Sequence, residues 1–391
     1  MADYPLQELD GRTPLEAAGT PNMDEVARRG QLGLAAMIPP GFAPGSDVAM
    51  LSILGYDPAR YFGGRAPLEA AQLGIDLGPD MVAFRCNLIT ADNGRIADYS
   101  GGHVSSDEAA ALIGFLDDNL GGDCTGFYPG VSYRHICLVK DIALVGLDCT
   151  PPHDVIGEPI EDHLPRGEGA EQLIDLMKQS YELLRDHDVN RARIERGQKP
   201  ANMIWLWGQG QARSLPSFAE RFGIGGGVIS AVDLVKGIAR LAGLEPIEVP
   251  GATGYYDTDY RAKADYALRC LEREAFVLVH VEAPDEASHN GDLVQKIRAI
   301  EDFDRLVVGT IKDRLCQDRA FRILVLPDHA TPIRLRTHTN DHVPFAWCGQ
   351  GILSDETGAF SEREAARGSL HLDEGHKLMA RFVGTEQPGG Y

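Results

Sequence analysis

The chain has 391 residues, of which 43% are hydrophobic and 24% are charged, and its formal net charge at pH 7 is −21. This length exceeds the size at which one hydrophobic core usually stops growing, so we expect two domains. The negative charge argues against nucleic acid and anionic membranes as partners, because both attract basic surfaces. A small anionic substrate would therefore need a local positive site.

The cysteines and the apolar runs indicate where the protein works. Seven cysteines stand singly, without a Cys-x-x-Cys pair, which is typical of reduced thiols in the cytosol. No apolar run approaches the ~18 residues that would span a bilayer. The first residues, MADYPLQELDGR, do not resemble a secretory signal. We therefore predict a cytoplasmic protein.

The first segment with recognisable chemistry is PPGFAPGSDVAMLSILGYDP. Its glycine-proline loop predicts a short helix that opens at Ser46 and closes at Gly55, with Ser46 suited to the N-cap. Free N–H groups and positive dipole potential at such a terminus favour a bound phosphate. If a divalent ion bound its hydroxyl, Ser46 could attack phosphorus near neutral pH.

Strands and helices are predicted along the rest of the chain. Short apolar runs predict strands at 81–89, 134–139, 202–208, 275–282 and 321–329. Apolar residues recurring at every third or fourth position predict helices at 168–187, 230–243, 258–273 and 292–315. This alternation indicates an α/β fold with a largely parallel, buried sheet. Domain seams are expected near 66–80 and at 190–202.

Two of the predicted strands end in Asp and His side chains. In open α/β sheets, ligands bind beyond the carboxyl ends of the strands. The side chains delivered there are Asp285, His289, Asp328 and His329, with His338 in a following loop. Carboxylate and imidazole suit Zn²⁺, Mn²⁺, Co²⁺ or Mg²⁺, and the sequence therefore predicts a metal site. We interpret His280 as a core residue or a partner of a ligand, and His342 as an alternative ligand.

Several longer blocks resemble archaeal-type cofactor-independent phosphoglycerate mutases, which belong to the alkaline phosphatase superfamily. The blocks include GSDVAMLSILGYDP, GGRAPLEA, FYPGVSYRH, NMIWLWGQGQ, VEAPDEASHNGD, LPDHATP and HTNDHVPF. The resemblance runs from residue 1 to about residue 380. It implies an alkaline-phosphatase-like core, 1–70 with 200–391, whose largely parallel sheet is sandwiched by helices. An inserted smaller α/β domain, 71–199, would enclose the substrate.

The resemblance also implies an activity and the residues that carry it. The enzyme would interconvert 3-phosphoglycerate and 2-phosphoglycerate through a phosphoserine at Ser46, without 2,3-bisphosphoglycerate. One metal ion would be held by Asp285, His289 and His338, and the other by Asp328, His329 and Ser46. The substrate would be bound by Arg65, His103, Arg134 and Lys236. Arg191 and Arg193 are weaker candidates, since they lie in a stretch that reads as a polar linker.

The start of the chain departs from the family pattern. Members usually begin with a hydrophobic strand ending in Gly-Asp-Gly-Met-Ala-Asp, whose first Asp binds the same metal as the serine. Here Met1, Ala2 and Asp3 fall within that motif, so we expect the strand to lie upstream and the second metal to be short of one ligand. Asp3 is expected to be a turn or cap residue rather than a substitute.

Three other functions share this metal and nucleophile set. They are a phosphatase, a homoserine kinase-like phosphotransferase, and a non-catalytic metal-binding module. The sequence does not decide which metal is bound or how many copies assemble.

Overall fold

A computed structural model describes residues 1–317, 320–368 and 370–384. The chain forms two compact units. The first comprises Met1–Phe62 and the chain from Ser214 onward, and the second comprises Gly63–Arg213. The second unit is thus an insertion in the sequence of the first. The unit boundaries, after Phe62 and after Arg213, lie outside the seams expected near 66–80 and at 190–202. Arg65 therefore belongs to the second unit rather than to the expected core segment 1–70.

Strands and helices alternate along the described chain, and the α/β class predicted from the sequence is confirmed. The strands are β1 Gln31–Ala35, β2 Val82–Asp92, β3 Arg95–Asp98, β4 Thr125–Val131, β5 Arg134–Val139, β6 Met203–Gly210, β7 Gly226–Ile229, β8 Glu245–Ile247, β9 Phe276–Val279, β10 Arg322–Val325, β11 Val343–Gly349 and β12 Leu370–Leu372. The helices are α1 Pro14–Ala17, α2 Pro21–Arg29, α3 Ser46–Ile53, α4 Pro58–Tyr61, α5 Arg65–Gln72, α6 Ser106–Leu120, α7 Ala170–Leu184, α8 Asp188–Glu195, α9 Phe218–Phe222, α10 Asp233–Leu241, α11 Tyr260–Leu271, α12 Ala283–Asn290, α13 Leu293–Asp302, α14 Gly309–Leu315, α15 Glu362–Ala365 and α16 Leu378–Val383. A π-helical segment, Phe303–Val308, joins α13 to α14. No helix in the described ranges has both the length and the apolar character needed to cross a membrane.

The described residues of the first unit form two sheets. One has three parallel strands in the order β8-β7-β9. The other has four strands in the order β10-β11-β1-β12, in which β11 runs antiparallel to both neighbours. Parallel neighbours need a crossover, whereas β10 and β11 are joined by a loop, 326–342, which carries no helix. The four-stranded sheet is therefore mixed, whereas the three-stranded sheet is parallel.

The second unit contains five strands, and every pair is antiparallel. The prediction of a largely parallel sheet is wrong here. It was suggested by the continuous apolar character of β2, whose residues are buried along almost its whole length. Helix α5 packs on one face of this sheet, and α6 and α7 cover the other, so the central strand is apolar on both faces whatever its direction.

In the first unit, β9 and β10 flank a cleft. Among the described residues, β9 pairs only with β7, and β10 only with β11. A mostly apolar cavity of about 230 Å³ lies between them, lined by both strands and by Met1. The amino group of Met1 is buried, and burial together with nearby Lys296 lowers its pKa to about 6. Asp285, Asp328 and His329 also line this cavity, so the cleft leads to the candidate site.

Candidate metal centre

Three short elements of the first unit deliver the candidate ligands. Helix α12 follows β9, with Pro284 in its first turn and Gly291, in the left-handed conformation, after its last residue. Asp285 and His289 are four residues apart on this helix and therefore share one face. The loop after β10 carries Asp328 and His329, and His338 lies further along the same loop.

The nucleophile candidate opens the first turn of α3. The predicted helix start at Ser46 is confirmed, but the predicted N-cap role is wrong, because Gly45 is the N-cap residue and no side chain caps the helix. The Ser46 hydroxyl instead donates a hydrogen bond to Oδ2 of Asp328 at 2.8 Å. It also lies 3.1 Å from Nε2 of His329. Its side chain is therefore directed toward the candidate ligands.

The first triad consists of Asp285, His289 and His338. Nε2 of His289 lies 3.1 Å from Oδ2 of Asp285 and 2.9 Å from Nε2 of His338. Nε2 of His338 and Oδ2 of Asp285 are 3.3 Å apart. Tetrahedral ligands at 2.0–2.2 Å from one ion are separated by about 3.3–3.6 Å. The donor atoms of this triad come close to that spacing, so the set fits a single divalent ion.

The second triad consists of Asp328, His329 and Ser46. Besides the two Ser46 contacts, Nε2 of His329 lies 3.3 Å from Oδ2 of Asp328. The two triads are adjacent, because the ligand atoms of Asp285, His329 and His338 all lie within 4.8 Å of one another. The two triads therefore form one continuous cluster of carboxylate, imidazole and hydroxyl groups.

Burial and mutual charge shift the pKa values in the first triad. Burial alone would raise the pKa of Asp285, but hydrogen bonds from His289 and His338 outweigh it and hold that pKa far below its usual range. The hydrogen bond to Asp285 raises the pKa of His289 to about 9. Without a bound metal ion, Asp285 and protonated His289 form an ion pair.

The second triad is more deeply buried. Burial lowers the pKa of His329. Burial would raise the pKa of Asp328, yet the charges of His329 and His280 lower it overall. Both groups therefore favour the states in which they bind metals, a neutral imidazole and an ionised carboxyl.

Negative charge accumulates around the triads. Burial, followed by the charges of Asp285 and Asp328, raises the pKa of Glu282 to about 8. Burial also raises the pKa of Glu286, with Asp285 as the next cause. Both carboxyl groups therefore lie in buried surroundings that also carry negative charge, which bound cations would reduce.

His280 and His342, the two other histidines considered in the sequence analysis, differ in burial. His280 is buried, as expected of a core residue. Its Nδ1 lies 3.0 Å from Ser230 Oγ, and its Nε2 lies 3.2 Å from Glu282. His342 is exposed, and no contact in the described part of the chain joins it to the candidate ligands. His280 therefore fits the core interpretation, since its side-chain partners, Ser230 and Glu282, are not candidate ligands.

The predicted substrate-binding residues are divided between the two units. In the second unit, Arg65 opens α5 and lies 3.4 Å from Glu69, and Arg134 opens β5 with its guanidinium 5.9 Å from the Tyr133 ring. His103 is an exposed residue with a left-handed backbone. In the first unit, Lys236 of α10 donates to both carboxylate oxygens of Glu248, at 2.8 and 2.7 Å.

The polar-linker interpretation is wrong for Arg193. Its side chain is buried in the second unit, on α8, and donates to Glu108 at 2.6 Å and to the carbonyl groups of Gly101 and Gly102. Arg191 is exposed and pairs with Asp188. Arg193 is therefore a structural residue.

Sequence reasoning missed three residues that support the triads. Asp3, expected in a turn or cap, forms a fully buried ion pair with Lys296 at 2.7 Å. Lys296 also donates to the carbonyl of Thr331, whose hydroxyl contacts Asp285 and His329. The charged residue types at 3 and 296 did not indicate burial, and Thr331 next to a ligand pair was the only available signal.

Comparisons with known proteins identify the family. The sequence profile of the 2,3-bisphosphoglycerate-independent phosphoglycerate mutases matches residues 27–190. The protein of that name from Methanothrix thermoacetophila is 53% identical over 98% of this chain and 97% of its own length.

Two solved structures are similar over nearly the whole chain. A protein from Pyrococcus horikoshii is 32% identical, with a TM-score of 0.82 over all of this chain and 97% of its own. The cofactor-independent phosphoglycerate mutase from Thermoplasma acidophilum is 28% identical, with a TM-score of 0.69 over 98% and 96%. This chain belongs to the 2,3-bisphosphoglycerate-independent phosphoglycerate mutase family.

Proposed function

We propose that this protein interconverts 3-phosphoglycerate and 2-phosphoglycerate without 2,3-bisphosphoglycerate, with Ser46 as the group that carries the phosphoryl moiety. Family membership over the full chain supports the reaction. The observation that carries the assignment of Ser46 is its position, with Oγ 2.8 Å from Asp328 and 3.1 Å from His329.

Asp285, His289 and His338 are proposed to hold one divalent ion, and Asp328, His329 and Ser46 the other. The matching spacings within each triad support this division. The ions would favour ionisation of the serine hydroxyl and neutralise charge on the transferred phosphoryl group. Oxygen and nitrogen donors of this kind accept Mn²⁺, Zn²⁺, Co²⁺ or Mg²⁺.

The proposed transfer is balanced without water. Ser46 Oγ loses its proton and forms a bond to phosphorus, while the bond from phosphorus to the O3 oxygen of the substrate breaks and that oxygen takes a proton. The O2 hydroxyl of glycerate then loses its proton and attacks the phosphoserine, which restores the Ser46 hydroxyl. Water must be excluded between these steps, because hydrolysis of the phosphoserine would make the enzyme a phosphatase.

The cationic side chains are proposed to bind the substrate. Arginine offers a planar fork for carboxylate or phosphate, which suits Arg65 and Arg134. Lys236 would exchange the exposed Glu248 for a substrate anion, and His103 would donate a hydrogen bond or move a proton. The second unit is proposed to supply its share of these residues and to exclude water from the phosphoserine.

The first unit is proposed to be an alkaline-phosphatase-like core. The parallel three-stranded sheet and the position of Asp285 and Asp328 beyond β9 and β10 support this assignment.

A coupled assay with 3-phosphoglycerate tests the proposed reaction, with homoserine plus ATP and a generic phosphate ester as control substrates. Ser46→Ala should lose at least about 10³-fold in kcat and the phosphoserine peptide seen by mass spectrometry after substrate addition. Ser52→Ala, on the same helix, is the matched control, since the Ser52 hydroxyl has no partner among the described residues. Activity confined to the phosphate ester would overturn the mutase assignment, and an active Ser46→Ala would overturn the role of Ser46.

A further inference from the structure

Strand β2 of the second unit carries two polar side chains, Arg85 and Asn87, in the otherwise apolar run VAFRCNLI. Both residues are buried, with 8% and 2% of their surface exposed. They are two positions apart on the strand and therefore lie on the same face of the sheet. In the register of the sheet, Trp207 of β6 is opposite Arg85, and Arg134 of β5 is opposite Asn87. The four side chains therefore share one face.

Arg85 is held in place but uses only one of its three nitrogens. Its Nε donates to Oε2 of Glu69 at 3.0 Å, and its guanidinium carbon lies 4.1 Å from the centre of the Trp207 ring. Within the described part of the chain, Nη1 and Nη2 of Arg85 have no hydrogen-bond partner. These two nitrogens form the planar fork that binds carboxylate or phosphate.

Arg193 shows how a buried structural arginine of the same unit is satisfied. Its Nε and Nη2 donate to the carbonyl groups of three residues, and its Nη1 donates to Glu108 at 2.6 Å. Burying donors without partners is unfavourable, so such pairing is the rule for buried polar groups. The unpaired donors of Arg85 therefore indicate a binding role in addition to its packing on Trp207.

Asn87 offers a further donor, and its direction is fixed by Trp207. The indole Nε1 can only donate, and it lies 3.1 Å from Oδ1 of Asn87, so the amide oxygen must face Trp207. Among the described residues, Nδ2 of Asn87 has no hydrogen-bond partner, although the residue is almost fully buried. Trp207 thus orients both groups, because it packs against the Arg85 guanidinium and accepts no bond from the Asn87 amide.

The charged side chains around these donors are mostly positive. Glu69 lies 3.0 Å from Arg85 and 3.4 Å from Arg65, so one carboxylate serves two arginines. Arg134 is exposed, and no hydrogen bond of its guanidinium occurs in the described ranges. Burial lowers the pKa of Arg85; Glu69 opposes this effect, and the charges of Arg65 and Arg134 add to it. This local positive charge, in a chain of net charge −21, favours a bound anion.

We propose that Arg85 and Asn87, with Arg134, form an oxyanion-binding site on the second unit, which takes the carboxylate or phosphate group of a small molecule. Nη1 and Nη2 of Arg85 bind oxygens of the anion, and Nδ2 of Asn87 donates to it as well. Phosphoglycerate has both kinds of group, and naming it as the ligand rests on the proposed function. Arg85 and Asn87 are then substrate-binding residues that the sequence analysis did not single out.

The indole N–H of Trp207 reports on this site in the full-length, metal-free protein. The chain has three tryptophans, and Trp207→Phe identifies the Trp207 signal in a two-dimensional ¹⁵N NMR spectrum. Glycerate, which has a carboxylate only, and inorganic phosphate are titrated separately at constant ionic strength. A saturable shift of the Trp207 signal is expected with at least one of them, and the tighter ligand identifies the preferred group. The Trp347 signal of the first unit should not move. No saturable shift with either anion would overturn the proposal.

Substitutions test whether the named side chains bind the anion. Arg85→Lys keeps the positive charge but removes the planar fork, and Asn87→Asp keeps the acceptor for Trp207 but removes the amide donors. Each should lower the affinity for the anion about 10–100-fold, because hydrogen bonds to charged groups are lost. Arg185→Gln removes a positive charge from an exposed arginine of the same unit that pairs with Glu182. It is the matched control and should change the affinity by less than about two-fold.

The outcomes separate this site from the proposed function. If Arg85→Lys and Asn87→Asp bind the anion as the wild type does, or if Arg185→Gln weakens binding equally, the site is refuted. If one of the two variants does not fold, the other variant and the wild-type titration decide. If the anion binds as expected but the protein lacks mutase activity, only the proposed function fails. If the protein is a mutase and Arg85→Lys retains the wild-type kcat/KM for 3-phosphoglycerate, phosphoglycerate is not the ligand of this site.

Discussion

Replacing Lys296 with Met should strongly destabilise the first unit. The side chains of Lys296 and Asp3 are both fully buried, and the ammonium group donates to Asp3 at 2.7 Å. Substitution leaves the Asp3 carboxylate buried without its counter-charge. Removing one partner of a buried ion pair typically costs about 3–5 kcal/mol. The carbonyl of Thr331 also loses its donor, and leaving a buried acceptor unpaired costs about 1–3 kcal/mol.

The expected loss for Lys296→Met is therefore about 4–8 kcal/mol, a large part of the ~5–15 kcal/mol typical of a folded protein. The double variant Lys296→Met with Asp3→Asn removes the buried charge, while the Asn carbonyl still accepts from Ile333 N–H. It should recover at least about 1.5 kcal/mol relative to the sum of the single variants.

Urea-dependent hydrogen exchange, read by mass spectrometry on peptides of the first unit, measures these free energies separately from the second unit. Lys312→Met is the matched control: Lys312 is also mostly buried, but its partner Glu25 is 37% exposed, so a loss of only about 0–1 kcal/mol is expected. A loss below about 1 kcal/mol for Lys296→Met, or no coupling with Asp3→Asn, would refute the reasoning.

Four further outcomes are expected. The hydrogen bond to Asp285 raises the pKa of His289 from its ordinary 6.5 to about 9. This pair therefore stabilises the metal-free fold fully below pH 6.5, and the contribution is lost as the pH rises through about 9. Thermal melts of the metal-free protein from pH 6 to 10 measure this loss, and His289→Gln should flatten the profile. Because a metal ion displaces that proton, calorimetry at pH 7 in buffers of different ionisation enthalpy should show proton release on metal binding, and buffer-independent heats would contradict the pKa. Dialysis against a chelator should abolish mutase activity until Mn²⁺, Zn²⁺, Co²⁺ or Mg²⁺ is returned, whereas full activity in protein shown metal-free by elemental analysis would exclude the two-metal assignment. Arg193→Met should destabilise the second unit by at least about 2 kcal/mol in the same exchange experiment, because it leaves the carbonyl groups of Lys199, Gly101 and Gly102 without their buried donor, while Glu108 keeps Arg196. A loss within about 0.5 kcal/mol, as expected for ordinary surface sites, would show that Arg193 is not structural.

Local pattern predicted the elements well. The apolar runs at 81–89, 134–139 and 202–208 correspond to β2, β5 and β6. A strand that is buried on both faces is apolar along its length whether its neighbours run parallel or antiparallel, so these runs could be recognised as strands. The periodic stretch at 292–315 became α13, the π-helical segment and α14. Strand direction was not predictable in this way, because it depends on which strands pair, and pairing is a non-local property.

The same distinction between local pattern and non-local pairing applies to the candidate site. The sequence indicated a cluster of possible ligands, because ligand-type residues followed apolar strands. The structure brings these side chains together: Asp285, His289, Asp328, His329 and His338. Asp3 could not be assigned, because its partner Lys296 is 293 positions away and neither residue type is usually buried. The contact between Thr331 and Asp285 likewise depends on the meeting of a loop with helix α12, and the two residues are 46 positions apart.

The insertion of the second unit has an evolutionary consequence. All six proposed metal-binding side chains belong to the first unit, and none comes from Gly63–Arg213. Mutations that accumulate within the inserted stretch therefore leave the six donor atoms themselves unaltered. A duplicated gene could diversify this part while inheriting its metal ligands intact. The separation makes such a chain a ready starting point for new specificities.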